Sequence, residues 1–411
     1  MDHGDVAWLL TSSALVFIMT PGLAFFYGGM VKRKNVINTI MSSAFLMGTA
    51  SILWVLIGFS LSFSGDVGGI IGNTKWFGLN FNTLTDTTLA YPNTLVFAIF
   101  QMMFAIITPA LISGAVAERM KFSSLVIFTT IWSFVVYYPL AHMVWGGGFL
   151  QQIGAVDFAG GYVVEISSGI SSLVICILLG ARKNHTKATY HPHNPPFVFL
   201  GAAILWFGWF GFNGGSALAA NALAAHAFMT TNTSGAASML SWMLIEKLTN
   251  GKPTLVGAST GLVVGLVAIT PGAGFVPIWA SIVIGLLVSP ICYFFITVVK
   301  KKFGYDDSLD VFACHGVCGI WGAIATGLFA QKSINPIAKW DGLVFGTPNL
   351  FLRQLAAIGV SIAVAIVGTM IAAGITSLIT KGLKVPRRSE DLGLDITEHG
   401  ESAYPAFNGM D

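Results

Sequence analysis

Two titratable residues, Glu165 and His315, lie inside long apolar runs of this sequence. A carboxyl group near the centre of a bilayer costs about 2.5 kcal/mol or more on insertion scales, so it is expected to face protein and to have a partner. Histidine changes its charge between about pH 5 and pH 8, which suits it to passing on a proton. The two residues therefore predict a proton pathway between helices. The alternative is structural: a carboxyl that holds two helices together and a satisfied core histidine.

Three further residues near the ends of apolar runs could attract a cation. Trp145, in His142-Met-Val-Trp-Gly-Gly-Gly148, is either an interfacial anchor or a ring that holds a small cation by cation–π attraction. Ser216 follows Asn213-Gly-Gly215 and could accept a hydrogen bond from the same cation. Asp157 opens the fifth apolar run, where it is expected to cap a helix and to make that mouth attractive to cations.

The elements that must position these residues are suited to a bilayer rather than to water. Of the 411 residues, 55% are hydrophobic and 9% are charged, whereas soluble domains carry about 25% charged residues. Lys and Arg lie in short clusters at the ends of apolar runs and not in one patch, so nucleic-acid binding is not expected. The four cysteines lie inside apolar runs without zinc-ligand spacing, and neither a metal nor a cofactor is expected.

Apolar runs of about 20 residues predict an all-α integral membrane protein with eleven transmembrane helices. The seventh run is unusually polar and is expected to pack inside the bundle. Eleven crossings put the termini on opposite sides, and seventeen of the 21 Lys and Arg residues would then lie on the C-terminal side. The positive-inside rule thus predicts an external N-terminus and a cytoplasmic C-terminus. The runs are 7–30, 37–63, 93–117, 122–142, 160–181, 197–216, 219–245, 255–270, 277–299, 309–330 and 352–380.

Two pairs of similar segments predict an internal duplication. Phe26-Tyr-Gly-Gly29 closes the first run and Phe212-Asn-Gly-Gly215 closes the sixth, while Glu165-Ile-Ser-Ser-Gly-Ile170 and His315-Gly-Val-Cys-Gly-Ile320 lie in the fifth and tenth. Because five crossings are odd, the second copy would be inverted, and inverted-repeat transporters have their substrate path at the repeat interface. Glu165 and His315 are therefore expected to approach the midplane of a pore from opposite faces.

The expected domain organisation follows from this repeat. A transmembrane domain would cover residues 1–381, with a five-plus-five inverted repeat at about 7–181 and 197–330 and an additional C-terminal helix at about 352–380. Residues 382–411 would form a cytoplasmic tail.

The motifs together resemble those of the ammonium transporter family, which includes methylammonium permeases and Rhesus proteins, over nearly the whole chain. The histidine that the family usually has at the position of Glu165 is replaced here, and a glutamate there resembles one branch of fungal permeases. The matching segments are Pro21–Gly29, Gly114–Arg119, Ala141–Gly148, Asp157–Gly161, Trp209–Asn213, Asp310–Gly319 and Leu392–Glu401.

The resemblance implies roles for the candidate residues and an assembly. Trp145, Ser216 and Phe104 would form an outer ammonium site. Phe104 and Phe212, which residue type alone suggests are ordinary core rings, would form a stacked gate. The resemblance also implies a homotrimer with one pore per subunit. His315 matches the second of two pore histidines, and Asp157 would support recruitment and the proton pathway.

The expected function is therefore transport of ammonium or ammonia, and possible transport of methylammonium, through a multi-pass protein of the cell membrane. One alternative is a facilitator of neutral ammonia gas, and another is an ammonium sensor that acts through a partner. An enzyme is not expected, because no nucleophile with a matching base recurs in the runs. The tail and the basic loops also resemble segments that a PII-type regulator grips in related transporters.

Overall fold

The protein folds as a bundle of helices. The structure is a computed structural model that describes residues 2–81, 94–183, 185 and 191–405. Across these residues there are two isolated β-bridges and no longer strand. Eleven principal helical segments follow one another: α1 His3–Met30, α2 Arg33–Phe63, α3 Thr94–Val116, α4 Phe122–Gln152 with a break at 146–148, α5 Gly161–Leu179, α6 Pro195–Gly215, α7 Ala222–Asn250, α8 Leu255–Ile269, α9 Ile278–Phe303, α10 Phe312–Phe329 and α11 Asn349–Thr380.

Nine of these segments, counted over the described residues, have the length and mean hydropathy of a membrane span. The other two are α8, which has 15 residues, and α7, which is long but polar. Polar side chains of α7 are buried against neighbouring segments. Thr230 donates a hydrogen bond to the Ala273 carbonyl oxygen at 2.8 Å, and Ser234 donates one to the Gly265 carbonyl of α8 at 2.8 Å. The predicted all-α membrane fold is confirmed. The seventh run packs against neighbouring helices on one face only, because Leu240 and Leu244 on another face of α7 are exposed.

The helix packing follows the repeat that the sequence predicts. Helix α1 packs along α6, and α5 packs along α10. The first crossing is close because glycines face the opposite backbone: a Cβ atom on Gly208 would lie 2.6 Å from the Leu15 carbonyl oxygen. Helices α4 and α9 each contain a π-helical turn, and α5 and α10 each begin with one. These two pairs of π-turns occupy equivalent places in the two halves, whereas a further π-turn in α2, at Trp54–Gly58, has no counterpart in α7.

The C-terminal tail packs onto the face of the bundle where α11 ends. Asp395 accepts a hydrogen bond from the backbone N–H of Asn38 at 2.9 Å, and Glu398 accepts one from the N–H of Phe122 at 2.9 Å. Leu394 is fully buried. Both carboxylates cap the beginnings of transmembrane helices, so the described part of the tail is a folded element and not a free extension.

A buried ion cluster on the same face holds the chain that leads into α10. Arg182 contacts Asp306 at 2.7 Å and Glu118 at 2.8 Å, and all three side chains are almost fully buried. Burial opposes the ionised form of Asp306, but hydrogen bonds and charge from Arg182 outweigh it, and the pKa of this carboxyl lies well below its usual range. The cluster thereby fixes the chain just before the pore-facing part of α10.

Candidate functional site

The site is organised around the crossing of α5 and α10. The two helices touch through glycines: a Cβ atom on Gly169 would overlap the backbone of Gly316, and one on Gly319 would lie 2.8 Å from the Cβ of Glu165. The same helices carry Glu165 and His315 four residues before Gly169 and Gly319. Close approach of the two backbones therefore brings the two titratable side chains together.

Glu165 and His315 form a direct pair inside the protein. The Oε2 atom of Glu165 lies 2.6 Å from the Nδ1 atom of His315. The residues are 1% and 3% exposed. Among the described residues, this ring makes its hydrogen bond through Nδ1.

Both residues lie in the π-helical turns at the start of their helices, Gly161–Ile166 and Phe312–Val317. In α5 the backbone N–H of Glu165 donates to the carbonyl oxygen of Gly160 at 3.0 Å, five residues earlier. Single π-turns inside helices are rare and occur frequently at functional sites. The wide turn changes the direction in which Glu165 leaves the helix relative to a regular α-helix.

Trp145 and Asp157 are joined at the opposite mouth of the bundle. The indole Nε1 of Trp145 donates to the main-chain carbonyl of Asp157 at 3.0 Å. The carboxylate of Asp157 accepts three backbone hydrogen bonds, from Gly160, Gly161 and Tyr162, at 2.7–2.8 Å. Burial raises the pKa of Asp157, although these three N–H donors partly offset it. Asp157 thus caps α5, as the sequence suggests, and also orients the Trp145 ring.

Two phenylalanine rings separate Trp145 from the interior. The rings of Phe104 and Phe212 stack with centroids 4.2 Å apart and an interplanar angle of 30°. Phe104 meets Trp145 edge to face at 6.0 Å. Both phenylalanines are 1% exposed. The stack thus joins Trp145 to the cavity that Phe212 lines.

Ser216 lies at the end of α6, just beyond the Phe212 ring. Its hydroxyl donates to the Phe212 carbonyl at 2.8 Å, and the residue is partly exposed. Because the proton of the hydroxyl is already used, the oxygen lone pairs are the part that can face a cation.

A cavity that we call the pore cavity lies beyond the stacked rings. It is narrow, with about 10 Å³ accessible to the centre of a water-sized molecule, close to the minimum that holds one water. Glu165 and His315 are the titratable side chains in its lining; the remaining lining residues are Met19, Leu23, Phe26, Ile107, Leu111, Val164, Leu205, Trp209, Phe212 and Val263. The pore cavity is therefore apolar apart from one acid–histidine pair. In the part of the chain that is described, no group of three or more His, Cys, Asp or Glu side chains is arranged to hold a metal ion.

Two residues of the site could not be assigned a role from their residue type alone. Trp209 lines the pore cavity, packs against Phe212 with centroids 5.4 Å apart, and donates to Thr270 at 2.9 Å. Nothing in its spacing distinguishes it from the other tryptophans.

Asp307 is the second of these residues, and its spacing in the sequence could have identified it. It stands eight residues before His315, as Asp157 stands eight before Glu165. Each of the two aspartates accepts a backbone hydrogen bond at 2.7 Å from the residue five positions later. The repeat thus extends to the capping residues of α5 and α10.

Comparison with known proteins agrees with this architecture. A sequence profile described as the Ammonium Transporter Family matches residues 7–404. An "Ammonium transporter" of Bacillus subtilis (strain 168) is 48% identical over 406 residues, covering 98% of this chain and 99% of that protein. The crystal structure of Saccharomyces cerevisiae Mep2 has a TM-score of 0.86 and 34% identity, covering 94% of this chain and 91% of that one.

A further solved structure, titled "Sensor Amt Protein", has a TM-score of 0.88 and 27% identity, and covers 96% of this chain and 98% of that one. The family consists of transport proteins, in agreement with the expectation that the chain is not an enzyme. With a profile match over almost its whole length and a closely related full-length protein, this multi-pass membrane protein belongs to the ammonium transporter family.

Proposed function

We propose that the protein moves ammonium across the membrane by separating NH4+ into NH3 and a proton. The observation that carries the proposal is the order of groups along the passage. Trp145 and Ser216 come first, then the Phe104–Phe212 stack, and then an apolar cavity whose titratable side chains are Glu165 and His315.

Recruitment takes place at Trp145 and Ser216. The cation exchanges part of its water for the Trp145 ring face and for the hydroxyl oxygen of Ser216, and Phe104 adds a second ring. Asp157 supports this site through its carbonyl, which holds the indole N–H. Methylammonium is a substrate of the same chemistry, since it keeps the charge and the N–H donors.

Passage favours the neutral molecule. Moving an unpaired cation into an apolar cavity costs far more than moving NH3, because a charge loses its hydration there. NH4+ therefore gives up a proton near the rings, and NH3 crosses the pore cavity. The proton moves separately by way of Asp157, Glu165 and His315, with Nε2 of His315 facing the substrate and Nδ1 bonded to Glu165.

Replacing Glu165 with Gln tests the proton path. The amide is close in size to the carboxyl and can still hydrogen-bond to His315, but it cannot bind and release a proton at neutral pH. We expect the ammonium-evoked current in proteoliposomes to fall at least about tenfold, the scale on which loss of a positioned acid–base group acts. An unchanged current with unchanged pH dependence would remove Glu165 from the pathway.

The wild-type protein provides the reference for this experiment. A current with ammonium and none with potassium supports net charge movement, whereas ammonia uptake without current would favour a neutral-gas facilitator. The likeness to the structure titled as a sensor favours a second candidate, an ammonium sensor. In that case ammonium would bind without measurable flux, and the signal would pass through the docked tail to a partner.

The proposed setting is the cell membrane, with the N-terminus external, the tail cytoplasmic, and three copies assembled into a homotrimer. Residues 1–381 serve as the transport domain and the tail as a regulatory element. A PII-type regulator is the proposed partner for the face that carries the tail. The support for these statements is the charge distribution of the loops and the resemblance to the family.

A further inference from the structure

A buried histidine that takes no part in the mechanism above lies one helical turn before Trp145. His142 is 0% exposed. Its Nδ1 atom lies 3.1 Å from the carbonyl oxygen of Ser62, and its Nε2 atom lies 3.0 Å from Oδ1 of Asp66. Both partners belong to the end of α2 and the loop that follows it.

Both ring nitrogens of His142 therefore face oxygen atoms that accept hydrogen bonds. A carbonyl oxygen and an ionised carboxylate have no proton to donate, and a neutral imidazole has a single N–H. The two hydrogen bonds can form together only when the ring carries protons on both nitrogens. The Asp66 side chain is 42% exposed, and hydrogen bonds from His142 and from the backbone N–H of Gly69 lower its pKa. Asp66 is thus the carboxylate, and its position together with the Ser62 carbonyl matches a His142 ring that carries both protons.

The His142–Asp66 contact connects the chain segments on both sides of Trp145. The Oδ1 atom of Asp66 also accepts from the N–H of Gly69 at 2.7 Å, and the Gly69 carbonyl accepts from the N–H of Phe149 at 2.7 Å. The His142 carbonyl accepts from the N–H of Gly146 at 2.9 Å. The break in α4 that follows Trp145 is therefore bonded to the His142 backbone on one side and to the Asp66 loop on the other.

The backbone at Gly146 packs tightly against the His142 ring and Ser62. A Cβ atom on Gly146 would lie 2.7 Å from Nδ1 of His142 and would overlap the Ser62 carbonyl oxygen. A shift of the His142 ring is therefore transmitted to the backbone that carries Trp145. Among the described residues, Asp66 is the titratable group in hydrogen-bonding contact with this ring, and the Gln152 side chain also bonds to Asp66. Asp157 is turned the other way, toward the backbone of α5.

We propose that the His142–Asp66 pair positions Trp145 in response to the pH on that side of the membrane. The inference rests on the proposed role of Trp145 as the ammonium site. With both nitrogens protonated, the ring joins α2 and α4 and the indole is held in place. When the pH rises and the ring loses a proton, the Nδ1 proton leaves first, because the Asp66 carboxylate holds the Nε2 proton more strongly. A lone pair on Nδ1 then faces the Ser62 carbonyl oxygen, that contact becomes repulsive, and the backbone on either side of Trp145 loosens.

Asp66→Asn is the variant that tests the pair. Asp66 is partly exposed, so the protein is expected to fold, and the Asn carboxamide oxygen can still accept from Gly69. Because the same Oδ1 atom contacts Gly69 and His142, the carboxamide oxygen takes its place toward both. The carboxamide is uncharged, so it no longer favours the second proton on the ring. Asp341→Asn is the matched control, because Asp341 is a loop aspartate of the same face that also accepts a backbone hydrogen bond, from Lys332 at 2.7 Å.

The measurement is the half-saturating NH4+ concentration for the current in proteoliposomes, with the internal pH fixed. Between external pH of about 6 and about 8, the range in which histidines change charge, we expect this concentration to rise about threefold or more in the wild type, the size of a weakened cation–π contact. The same rise is expected in Asp341→Asn, and a flat profile in Asp66→Asn. A flat wild-type profile, an unchanged slope in Asp66→Asn, or an equal loss of slope in the control would each overturn the proposal.

Backbone hydrogen exchange separates failure of this inference from failure of the proposed function. Absence of any ammonium current in the wild type would contradict the proposed transport but not the pair itself. The amides of Gly146 and Gly148, corrected for the intrinsic effect of pH on exchange, should lose protection as the pH rises in the wild type and not in Asp66→Asn. Equal protection at all pH values in both proteins would overturn the positioning role whether or not current is observed.

Discussion

At the scale of single residues, the proposed passage depends on a few side chains that separate a proposed cation site from a mostly apolar cavity. Trp145 offers a ring face, the Phe104–Phe212 stack blocks the way, and Glu165 with His315 supplies the titratable groups beyond it. Trp145 is anchored through its N–H. The indole is thus fixed in orientation before a cation arrives, which lowers the entropy cost of binding.

Trp145→Leu tests the cation site. Leucine keeps the position apolar but removes the ring, and a cation–π contact is worth about 0.5–2 kcal/mol. The half-saturating ammonium concentration should therefore rise roughly 2- to 30-fold. Trp279→Leu is the control, because that side chain lies on α9 and is 51% exposed. An equal change in both variants, measured as current in proteoliposomes, would argue against a specific site at Trp145.

At the scale of secondary structure, the contact between α5 and α10 decides whether the acid and the histidine meet. Their crossing uses Gly169 and Gly319, and both helices begin with a π-turn that is capped by an aspartate. Small residues let helices approach closely in membranes, where no hydrophobic effect pulls helix against helix. The glycines are therefore as necessary to the pair as the pair's own side chains.

Gly169→Ala is expected to push α5 and α10 apart. The added methyl group would overlap the backbone of Gly316, which cannot rotate away, so overpacking should cost about 1–3 kcal/mol. The midpoint of thermal unfolding in detergent should fall, and the ammonium current should fall with it. Gly374→Ala provides the comparison, since a Cβ atom there has no other atom within 4 Å. If both alanine variants unfold at the same temperature, the close crossing is not required.

At the scale of the whole molecule, the direction of the proposed uptake depends on which face of the bundle lies in the cytoplasm. Seventeen of the 21 Lys and Arg residues fall on the predicted cytoplasmic side. The tail is docked on the face where α11 ends, and the Arg182 cluster lies there as well. Trp145, the proposed recruitment site, lies toward the opposite face, which is consistent with the proposed uptake from outside.

Single introduced cysteines can measure this orientation in intact cells. Lys339 and Lys301 are both exposed and lie at opposite faces of the bundle. A membrane-impermeant thiol reagent should label Lys339→Cys from outside the cell and label Lys301→Cys only after the membrane is opened. The four native cysteines are buried, so background labelling should be low. The reverse pattern would invert the proposed topology and the direction of recruitment.

Much of the fold could be predicted because each transmembrane helix corresponds to a local pattern of apolar and polar residues in the sequence. The length and hydropathy of eleven runs predicted the eleven helical segments, and the polar residues of the seventh run indicated contacts with neighbouring helices. The π-turns could not be predicted in this way, because Gly161–Ile166 and Phe312–Val317 have the same apolar character as regular helix. Their geometry depends on hydrogen bonds that the surrounding helices select.

Of the candidate site, too, one part could be predicted from the sequence and another could not. The residue types and the matched spacing of Glu165 and His315 determined from sequence alone that an acid and a histidine meet inside the membrane, because an isolated charge there would be too costly. Only the tertiary structure decided that Phe104 stacks on Phe212, that Trp209 lines the pore cavity, and that both nitrogens of His142 face oxygen atoms. These contacts join helices far apart in the chain, and a side chain acquires such a partner only when the packing of the whole bundle has fixed its position.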